Sequence, residues 1–430
     1  MPDRPRLLFL AQSLPFPPHS GVAVRTYNIL RELQRDFEVD LVAFSRRGHQ
    51  PDAAARDAAR DTLRAALTHV AEPTPVPNEG SGIRRAWDHL RSVVSGRAYT
   101  YYEYQSDDFD RELRRSLLER PPALVHLDSL DLHGLLPRLP SVPVACTHHD
   151  IDSALLRSRA RWIGSEPRRR YLELQAGRVE RVERAITPHL ALNVLTSETD
   201  ARRLLALAPG AATVVIPNGT DTDYFRPTGA PSLDGRVVFV GPTHAYPNRD
   251  AVEWMLEAIW PLIRGADPAA SLRLVGRSAP ELRARYDAVP GVTTLGQVPD
   301  LRPALSEARC CVVPIRIGGG TRLKILDAWA MGRAVVSTTI GCEGLAAVDG
   351  GNILVRDTPE SFAEAVRTVL CDPALRERLE RNARRTAEEH YGWAVIGERL
   401  RRSYGALIGA TGTGMLPRVS RRVEPVPAAT

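Results

Sequence analysis

The segment "GGGTRLKILDA", which begins at Gly318, places three glycines, a cation and a carboxylate at a spacing that suits anion binding. Of the 57 lysines and arginines, Lys324 is the only lysine. Lysine carries a compact charge on a flexible stem and arginine a wide planar fork, so a narrow phosphate pocket can distinguish them. Asp327 follows three positions later, on the same helix face. This pair suits a nucleoside diphosphate, with the ammonium at a phosphate and the carboxylate at the ribose; the alternative is a solvated surface ion pair.

The residues around this pair predict how it is positioned. "CCVVPIR" is typical of a strand, "IGGG" of a tight turn and "TRLKILDAWAM" of a helix that ends at Gly332. The first N–H groups of a helix are unpaired and lie at the positive end of its dipole, so they attract anions. Thr321 is expected to cap this helix, and Arg322 or Arg316 to add a second cation. The glycines that would let phosphate oxygens approach the backbone are Gly318, Gly319 and Gly320.

Short apolar runs alternate with helical patterns along the chain, which predicts α/β domains with parallel sheets. A first series of runs starts at residues 6, 38, 123, 142, 190 and 213, and a second at residues 236, 272, 292, 310, 334 and 352. Between the two series, "IPNGTDTDYFRPTGAPSLDG" has no apolar periodicity and is rich in proline and glycine. The sequence therefore predicts two Rossmann-like domains joined by a linker.

The domain boundaries follow from this break. We predict an N-terminal domain over residues 1–215, a linker over 216–235 and a C-terminal domain over 236–392. A last helix, over about 393–409, is long enough to pack back on the N-terminal domain. Residues 410–430 lack periodicity and are predicted to form a disordered tail.

Two loops of the first domain follow predicted strands, at the edge where open α/β sheets bind ligands. Ser20 and Gly21 precede a helix after the first strand. His148 and His149 follow a later strand, and because adjacent side chains point in different directions, one of the two is expected to face the site. The alternative for each histidine is a surface or capping role.

Composition restricts the class of protein. With 43% hydrophobic and 25% charged residues, the chain is typical of a globular protein. It has no long apolar run and no secretory signal, which predicts a cytoplasmic location. The five cysteines lack CxxC spacing, so neither a zinc site nor a disulfide framework is predicted. The net charge of +6 is compatible with several anionic partners, but the arginines are spread along the chain, and we predict no nucleic-acid site.

Three segments resemble the retaining glycosyltransferases of family 4. They are "PNGTDTDYFRP" from Pro217, "GGGTRLKILDAWAMGRAVVSTTIGCEGL" from Gly318 and "NARRTAEEHYGW" from Asn382. The likeness covers about residues 5–409, and the second segment is its most specific part. The resemblance implies the GT-B fold, in which two Rossmann-like domains face each other across a cleft.

The resemblance also implies roles for the candidate residues. Lys324 would lie at the pyrophosphate, and Ser20 and Gly21 would belong to the acceptor loop. The family commonly has a histidine near the anomeric carbon, and we prefer His149, because its spacing to Asp152 resembles the family's His-Asn-x-Glu pattern.

One departure from the family concerns the donor sugar. The family usually has two glutamates eight positions apart, the first at the donor sugar and the second at the ribose, and these positions hold Gly319 and Asp327 here. The shorter carboxylate can still bind ribose, whereas the donor-sugar contact is missing or comes from elsewhere. The turn "TTIGCEGL" is predicted to line the donor pocket with Glu343 and Gly344. Glu343 would either reach the sugar or act as a structural turn carboxylate.

The implied function is that of a hexosyltransferase. A sugar would pass from a nucleoside diphosphate sugar to a hydroxyl of a glycan, a lipid-linked acceptor or a small molecule, with retention of anomeric configuration. No metal or cofactor is expected beside this co-substrate, because no DxD-type pair follows a strand. The arginine-rich segment from Arg157 suggests peripheral contact with the inner face of a membrane, and a solvated helix face is its alternative. Other hypotheses are a nucleotide-sugar epimerase of the same fold and a non-catalytic nucleotide-sugar-binding protein; the lack of GxGxxG disfavours a dehydrogenase.

Overall fold

The computed structural model describes residues 4–18, 20–229, 232–318 and 323–412, with side chains as far as residue 410. The chain forms two compact units: the first extends to Pro217 and resumes at Gly397, and the second is Asn218–Ile396. Most of the predicted linker therefore belongs to the second unit. There, the Asp221 carboxylate accepts hydrogen bonds from the backbone N–H groups of Asp223 (3.1 Å) and Tyr224 (2.9 Å) and shapes a turn.

The first unit is built on a parallel sheet. Its strands are β1 (Arg6–Ala11), β2 (Glu38–Ser45), β3 (His69–Val70), β4 (Thr74–Pro75), β5 (Leu124–Leu127), β6 (Val144–His148), β7 (Leu192–Leu195) and β8 (Thr213–Val215). Within the described residues the strand order is β3-β2-β1-β5-β6-β7-β8, and β4 pairs with β2. The central strands β1, β5 and β6 are buried along their whole length, as expected for a parallel sheet that is covered on both faces.

Helices separate these strands. They are α1 (Gly21–Leu33), α2 (Ala53–Arg64), α3 (Gly82–Ser95), α4 (Tyr99–Glu103), α5 (Asp107–Glu119), α6 (Asp152–Trp162), α7 (Glu166–Ile186) and α8 (Glu198–Leu207), with 3₁₀ segments at Leu130–Arg138 and Thr187–His189. Serine side chains cap several of the helix N-termini, including those of α1, α3, α5 and α8.

The second unit has a smaller parallel sheet. Its strands are β9 (Arg236–Val240), β10 (Ser271–Val275), β11 (Val292–Gly296), β12 (Cys310–Val313), β13 (Ala334–Ser337) and β14 (Leu354–Val355), in the order β11-β10-β9-β12-β13-β14 among the described residues. Its helices are α9 (Tyr246–Trp254), α10 (Trp260–Ala266), α11 (Pro280–Asp287), α12 (Arg302–Glu307), α13 (Leu323–Ala330), α14 (Pro359–Cys371) and α15 (Pro373–Thr386). Two π-helical segments, Met255–Ile259 and Ala387–Tyr391, complete this unit.

The last helix, α16 (Trp393–Gly412), continues past the predicted end at residue 409. From Gly397 onward it belongs to the first unit, where the Tyr404 hydroxyl lies 2.5 Å from His126 Nδ1 on β5. The Arg401 guanidinium donates to Glu32 Oε2 (2.7 Å) on α1. The part of the predicted tail that follows residue 412 lies outside the described residues.

The prediction of two Rossmann-like α/β domains is confirmed, and each predicted apolar run overlaps one of the strands. Strands β3 and β4 are additional, and each has two residues. In both sheets the order of the strands reverses at one point, between β1 and β5 and between β9 and β12. Ligands of open α/β sheets bind outside the carboxyl ends of the strands at such points.

Candidate functional site

Lys324 lies on the first turn of α13, the helix that follows β12. Its ammonium donates to Asn248 Oδ1 at 2.7 Å and lies 4.4 Å from the ring centroid of Phe239. The Asn248 side chain is oriented by its own amide, because Nδ2 donates to the Pro242 carbonyl at 3.0 Å. The hydrogen bond and the cation–π contact hold the half-buried ammonium beside the carboxyl end of β9.

Gly241, which directly follows β9, creates the space that the ammonium occupies. Its φ of +157° favours glycine, and a Cβ at this position would lie 2.8 Å from Lys324 Nζ and 2.8 Å from Asn248 Cγ. Gly276, after β10, has a φ of +139°, and its Cβ would lie 2.5 Å from the Gly241 carbonyl carbon. At both positions the neighbouring atoms leave no room for a Cβ, so both positions require glycine.

Asp327 is half-buried on α13, one turn beyond Lys324. Its Oδ1 accepts a hydrogen bond from the Thr220 hydroxyl at 2.8 Å. Burial raises the pKa of the Asp327 carboxyl to about 7, although the Thr220 hydroxyl acts in the opposite direction. The carboxyl group therefore changes its protonation state near neutral pH.

The turn after β13 contains the residues that were predicted to line a donor pocket. A Cβ on Gly341 would lie 2.3 Å from Ser337 Oγ, so this turn also needs a glycine. Thr338 Oγ1 accepts from the Gly341 N–H at 2.9 Å and donates to the Ile315 carbonyl, which ties the turn to the segment after β12. Glu343 is half-buried and Gly344 is exposed with a φ of +80°.

Part of the predicted glycine loop lies outside the described residues, namely Gly319, Gly320, Thr321 and Arg322. Gly318 is the last residue before this gap and has a φ of +100°, in the region that favours glycine. Arg316, the other predicted cation, forms a bidentate pair with Asp250 at 2.7 and 3.1 Å and lies 4.9 Å from the ring of Trp254. A carboxylate thus already balances the charge of Arg316.

The two adjacent histidines of the first unit have different surroundings. His148, the last residue of β6, is buried, and its Nε2 lies 2.9 Å from Asn193 Oδ1. The Asn193 amide nitrogen donates to the Thr187 and Ala212 carbonyls, so the oxygen of Asn193 accepts and His148 Nε2 donates. Burial lowers the pKa of His148 to about 4, so this imidazole is neutral and structural.

His149 is half-buried and approaches a carboxylate that sequence analysis did not assign. Its Nε2 lies 3.6 Å from Asp128 Oδ1 and has no hydrogen-bond partner among the described residues. Asp128 directly follows β5 and is buried, and its Oδ2 accepts from the Thr26 hydroxyl at 2.8 Å. The signal in the sequence was the single carboxylate that ends the apolar run "ALVHLD", at the same sheet edge as His149.

The loop before α1 contributes to the same sheet edge. Ser20 caps α1, and its hydroxyl accepts from the Ala23 N–H at 3.2 Å, with Gly21 as the first helical residue. On α1, the buried Arg25 donates to the Pro217 carbonyl at 2.8 Å. Burial lowers the pKa of Arg25 to about 10, and the nearby Asp128 carboxylate opposes this shift, so the guanidinium remains charged at neutral pH.

The described ranges contain no metal-ligand cluster and no membrane-spanning helix. Among the described residues, no three His, Cys, Asp or Glu side chains are grouped as metal ligands would be. None of the described helices is both long enough and apolar enough to cross a bilayer. Four cysteines are buried, and Cys371 is exposed.

Two family models match the chain. Residues 19–224 match the model described as Glycosyltransferase Family 4, and residues 234–372 match the model described as Glycosyl transferases group 1. The phosphatidyl-myo-inositol mannosyltransferase of Mycobacterium tuberculosis is 30% identical over 224 residues, which are 49% of this chain and 58% of that protein. The match thus spans less than two thirds of the relative.

Solved structures extend the likeness to nearly the whole chain. Sucrose-phosphate synthase from Thermosynechococcus elongatus has a TM-score of 0.67 at 18% identity and covers 94% of this chain and 100% of its own. HepE from Anabaena, in complex with UDP-glucose, has a TM-score of 0.64 at 13% identity and covers 94% of this chain and 100% of its own. At these identities the two structures establish the fold.

Proposed function

We propose that this chain, which belongs to the family 4 glycosyltransferases of the GT-B fold, transfers a hexosyl group from a nucleoside diphosphate sugar to an acceptor hydroxyl group, with retention of the anomeric configuration. The observation that carries the proposal is the Lys324 ammonium, held by Asn248 in space that Gly241 leaves open. A compact cation at the carboxyl edge of a parallel sheet suits a diphosphate.

Lys324 acts on the leaving group in this proposal. When the bond between the anomeric carbon and the β-phosphate oxygen breaks, the electron pair stays on that oxygen and negative charge builds up on the diphosphate. A fixed ammonium stabilises this charge more strongly than it stabilises the bound donor, so it lowers the barrier. We assign the remaining phosphate contacts to the predicted loop, Gly318, Gly319, Gly320, Thr321 and Arg322, and the sugar contact to the turn with Glu343 and Gly344.

Asp327 binds the ribose in this proposal. Its ionised carboxylate accepts hydrogen bonds from ribose hydroxyls, which replace the hydrogen bond that it accepts from the Thr220 hydroxyl in the structure. Because burial raises the pKa of this carboxyl to about 7, binding of the nucleotide also favours loss of its proton.

In this proposal His149 lies beside the reacting anomeric carbon, and Asp128 orients its imidazole. Two more carboxyl groups, the half-buried Asp131 and Asp152, lie in the same part of the first unit, and desolvation raises the pKa of each. Carboxyl groups suit an acceptor whose reacting part is a neutral polyol, because they form hydrogen bonds with hydroxyls in either protonation state. Ser20 and Gly21 would contact this acceptor from the loop before α1.

The first experiment measures thermal stabilisation by UDP-, GDP- and ADP-sugars, since a ligand of the native state raises the melting temperature. The nucleotide sugar that stabilises the protein is then used as the donor, with an acceptor mixture that includes inositol and inositol lipids. Product with retained anomeric configuration supports the proposal. Isomerised donor without transfer would indicate an epimerase, and stabilisation without any turnover would indicate a binding protein.

The proposal includes no metal or organic cofactor, since it assigns stabilisation of the negative charge on the leaving diphosphate to Lys324. Transfer measured after dialysis against EDTA tests this point. Turnover that falls with EDTA and returns with Mg²⁺ or Mn²⁺ would contradict it.

A further inference from the structure

Helix α3 (Gly82–Ser95) turns an apolar face outward. Its side chains Ile83, Trp87, Leu90 and Val94 are 85%, 56%, 50% and 80% exposed. Their spacing of four, three and four positions places them on one side of the helix, and we call these four residues the α3 stripe. Such a contiguous patch of large apolar side chains indicates an interaction surface.

The opposite side of α3, which packs inward, is polar. Asp88 and Ser92 are fully buried, so this helix reverses the usual arrangement of an amphipathic helix on a globular protein. Helix α7 holds the polar side in place: the Arg178 guanidinium donates to the Ser92 carbonyl at 2.8 Å, and the Gln175 amide donates to Ser92 Oγ at 2.9 Å. These hydrogen bonds fix the α3 stripe in its outward orientation.

Arginines flank the stripe. Arg84 and Arg91 lie 3.4 and 3.9 Å from the Asp88 carboxylate, and about two fifths of each side chain is exposed. Arg85, near the N-terminal end of the same helix, is exposed as well. An apolar stripe with a tryptophan, bordered by arginines, is typical of a helix that lies in the plane of a membrane interface.

We propose that α3 docks on the surface of a bilayer that contains anionic lipids, with the α3 stripe inserted at the level of the headgroups. The arginines then contact lipid phosphates, which supplies the charge complementarity. A second copy of the chain is a poorer occupant, because a two-fold interface would bring the arginines of one α3 against those of the other. The proposal goes beyond the transfer reaction, and none of its steps depends on a nucleotide sugar.

Vesicle flotation of the full chain, without nucleotide, tests the docking. Vesicles of phosphatidylcholine alone are compared with vesicles of equal parts phosphatidylcholine and phosphatidylglycerol, and we expect flotation with the anionic vesicles. In the double variant Trp87→Gln, Leu90→Gln, the partition coefficient should fall at least about tenfold. The matched control is Leu118→Gln, since Leu118 lies on α5, outside the α3 stripe, and is 86% exposed, and the flotation of this variant should equal that of the parent.

A charge test uses a second matched pair. Arg85→Glu should lower binding to the anionic vesicles about fivefold or more, whereas Arg114→Glu, at an exposed position of α5, should leave it unchanged. Binding of the parent should also weaken as NaCl is raised. Circular dichroism of each variant checks that its fold is intact, and the arginine pair still tests the surface if the double variant does not fold.

Three results would overturn the proposal. The first is equal flotation of the parent and the folded double variant. The second is equal loss in Arg85→Glu and Arg114→Glu. The third is a parent that does not float but sediments as a dimer, with the double variant monomeric, which would make a second copy the occupant. Transfer to a water-soluble acceptor should be unchanged in the double variant, so failure here is distinct from failure of the proposed function.

Discussion

The carboxyl edges of the two sheets differ in how completely their polar side chains are held by hydrogen bonds. In the second unit the Lys324 ammonium is already placed, with Asn248 at 2.7 Å and a glycine beside it. In the first unit His149 faces the buried Asp128 at 3.6 Å, and its Nε2 lacks a hydrogen bond within the described residues. One edge thus has a fixed cation, and the other has an imidazole whose contact is incomplete.

This difference corresponds to the chemistry of the two proposed substrates. A diphosphate is the same in every nucleoside diphosphate sugar, so a rigid cation can be built into the fold before the ligand arrives. An acceptor hydroxyl differs from one acceptor to the next, and hydrogen bonds at such a site often tighten only when the substrates are bound. Small substitutions should therefore lower turnover more at the sheet edge of the second unit than at the sheet edge of the first.

The largest effect is expected at Lys324. Lys324→Ala should lower turnover by about 10²–10³-fold, since a preorganised contact to the leaving diphosphate is lost. Lys324→Arg keeps the charge but replaces a compact ammonium with a planar fork, and should cost at least about tenfold. Steady-state turnover of the folded variants provides the measurement. Unchanged turnover in Lys324→Arg would refute a requirement for the shape of lysine, and unchanged turnover in Lys324→Ala would refute the role itself.

Gly241→Ala tests the same cation through the backbone. The added Cβ would displace the ammonium and the Asn248 side chain, so turnover should fall by about tenfold or more. Gly265→Ala is the matched control, because Gly265 lies on α10 with no atom within 4 Å of its Cβ position. Equal activity of the two alanine variants would show that Gly241 does not set the position of Lys324.

His149→Ala should lower turnover by about 10²-fold with little change in donor affinity, because the proposed place of the imidazole is beside the reacting carbon. Asp128→Asn should lower turnover by a smaller factor, since it leaves the imidazole but weakens its orientation. Turnover and nucleotide affinity, measured separately, check this split. If His148→Ala reproduces the defect in a fully folded protein and His149→Ala does not, the assignment between the two histidines is wrong.

Asp327→Ala should weaken nucleotide binding by about 1.5–3 kcal/mol, the cost of a lost charged hydrogen bond. Asp327→Glu should be tolerated, because the resemblance places glutamate at this position. Calorimetric titration with the nucleoside diphosphate provides both affinities. Equal affinity of the parent and the alanine variant would remove Asp327 from the site.

The smallest effect is a dependence on pH. Because the folded pKa of Asp327 is raised to about 7, its contribution to stability is complete at low pH and is lost as the pH rises through 7. Nucleotide affinity should change in the opposite direction, rising about tenfold from pH 6 to pH 8 as the carboxylate forms. Both trends should be flat in Asp327→Asn, which cannot titrate. A parent whose affinity does not vary over this range would contradict the ribose assignment.

The sequence was informative where the signal is local. Apolar runs located the strands of both sheets, and the glycine segment located α13, because burial on both faces and helix stops leave marks in neighbouring residues. Strands β3 and β4 left no such mark, since each has two residues. The partners of Lys324 and Asp327 were also out of reach, because Asn248 and Thr220 are 76 and 107 positions away.

Helix α3 shows a different limit. Its apolar periodicity is clear in the sequence, but periodicity identifies an apolar face without saying whether that face points inward. The usual assumption would bury Trp87 and Leu90, whereas the structure buries Asp88 and Ser92. Hydrogen bonds from Gln175 and Arg178 on α7, more than 80 positions away, hold the helix in this orientation.

The single lysine also gives the protein a built-in chemical reporter. An amine-selective acylating reagent can modify only one side chain in the 430 residues, and that side chain is the half-buried ammonium beside Gly241. The extent of acylation at Lys324, read from the mass of one peptide, therefore measures how often this position is open. No engineered label is needed, and the same readout compares every candidate nucleotide by its ability to shield one amine.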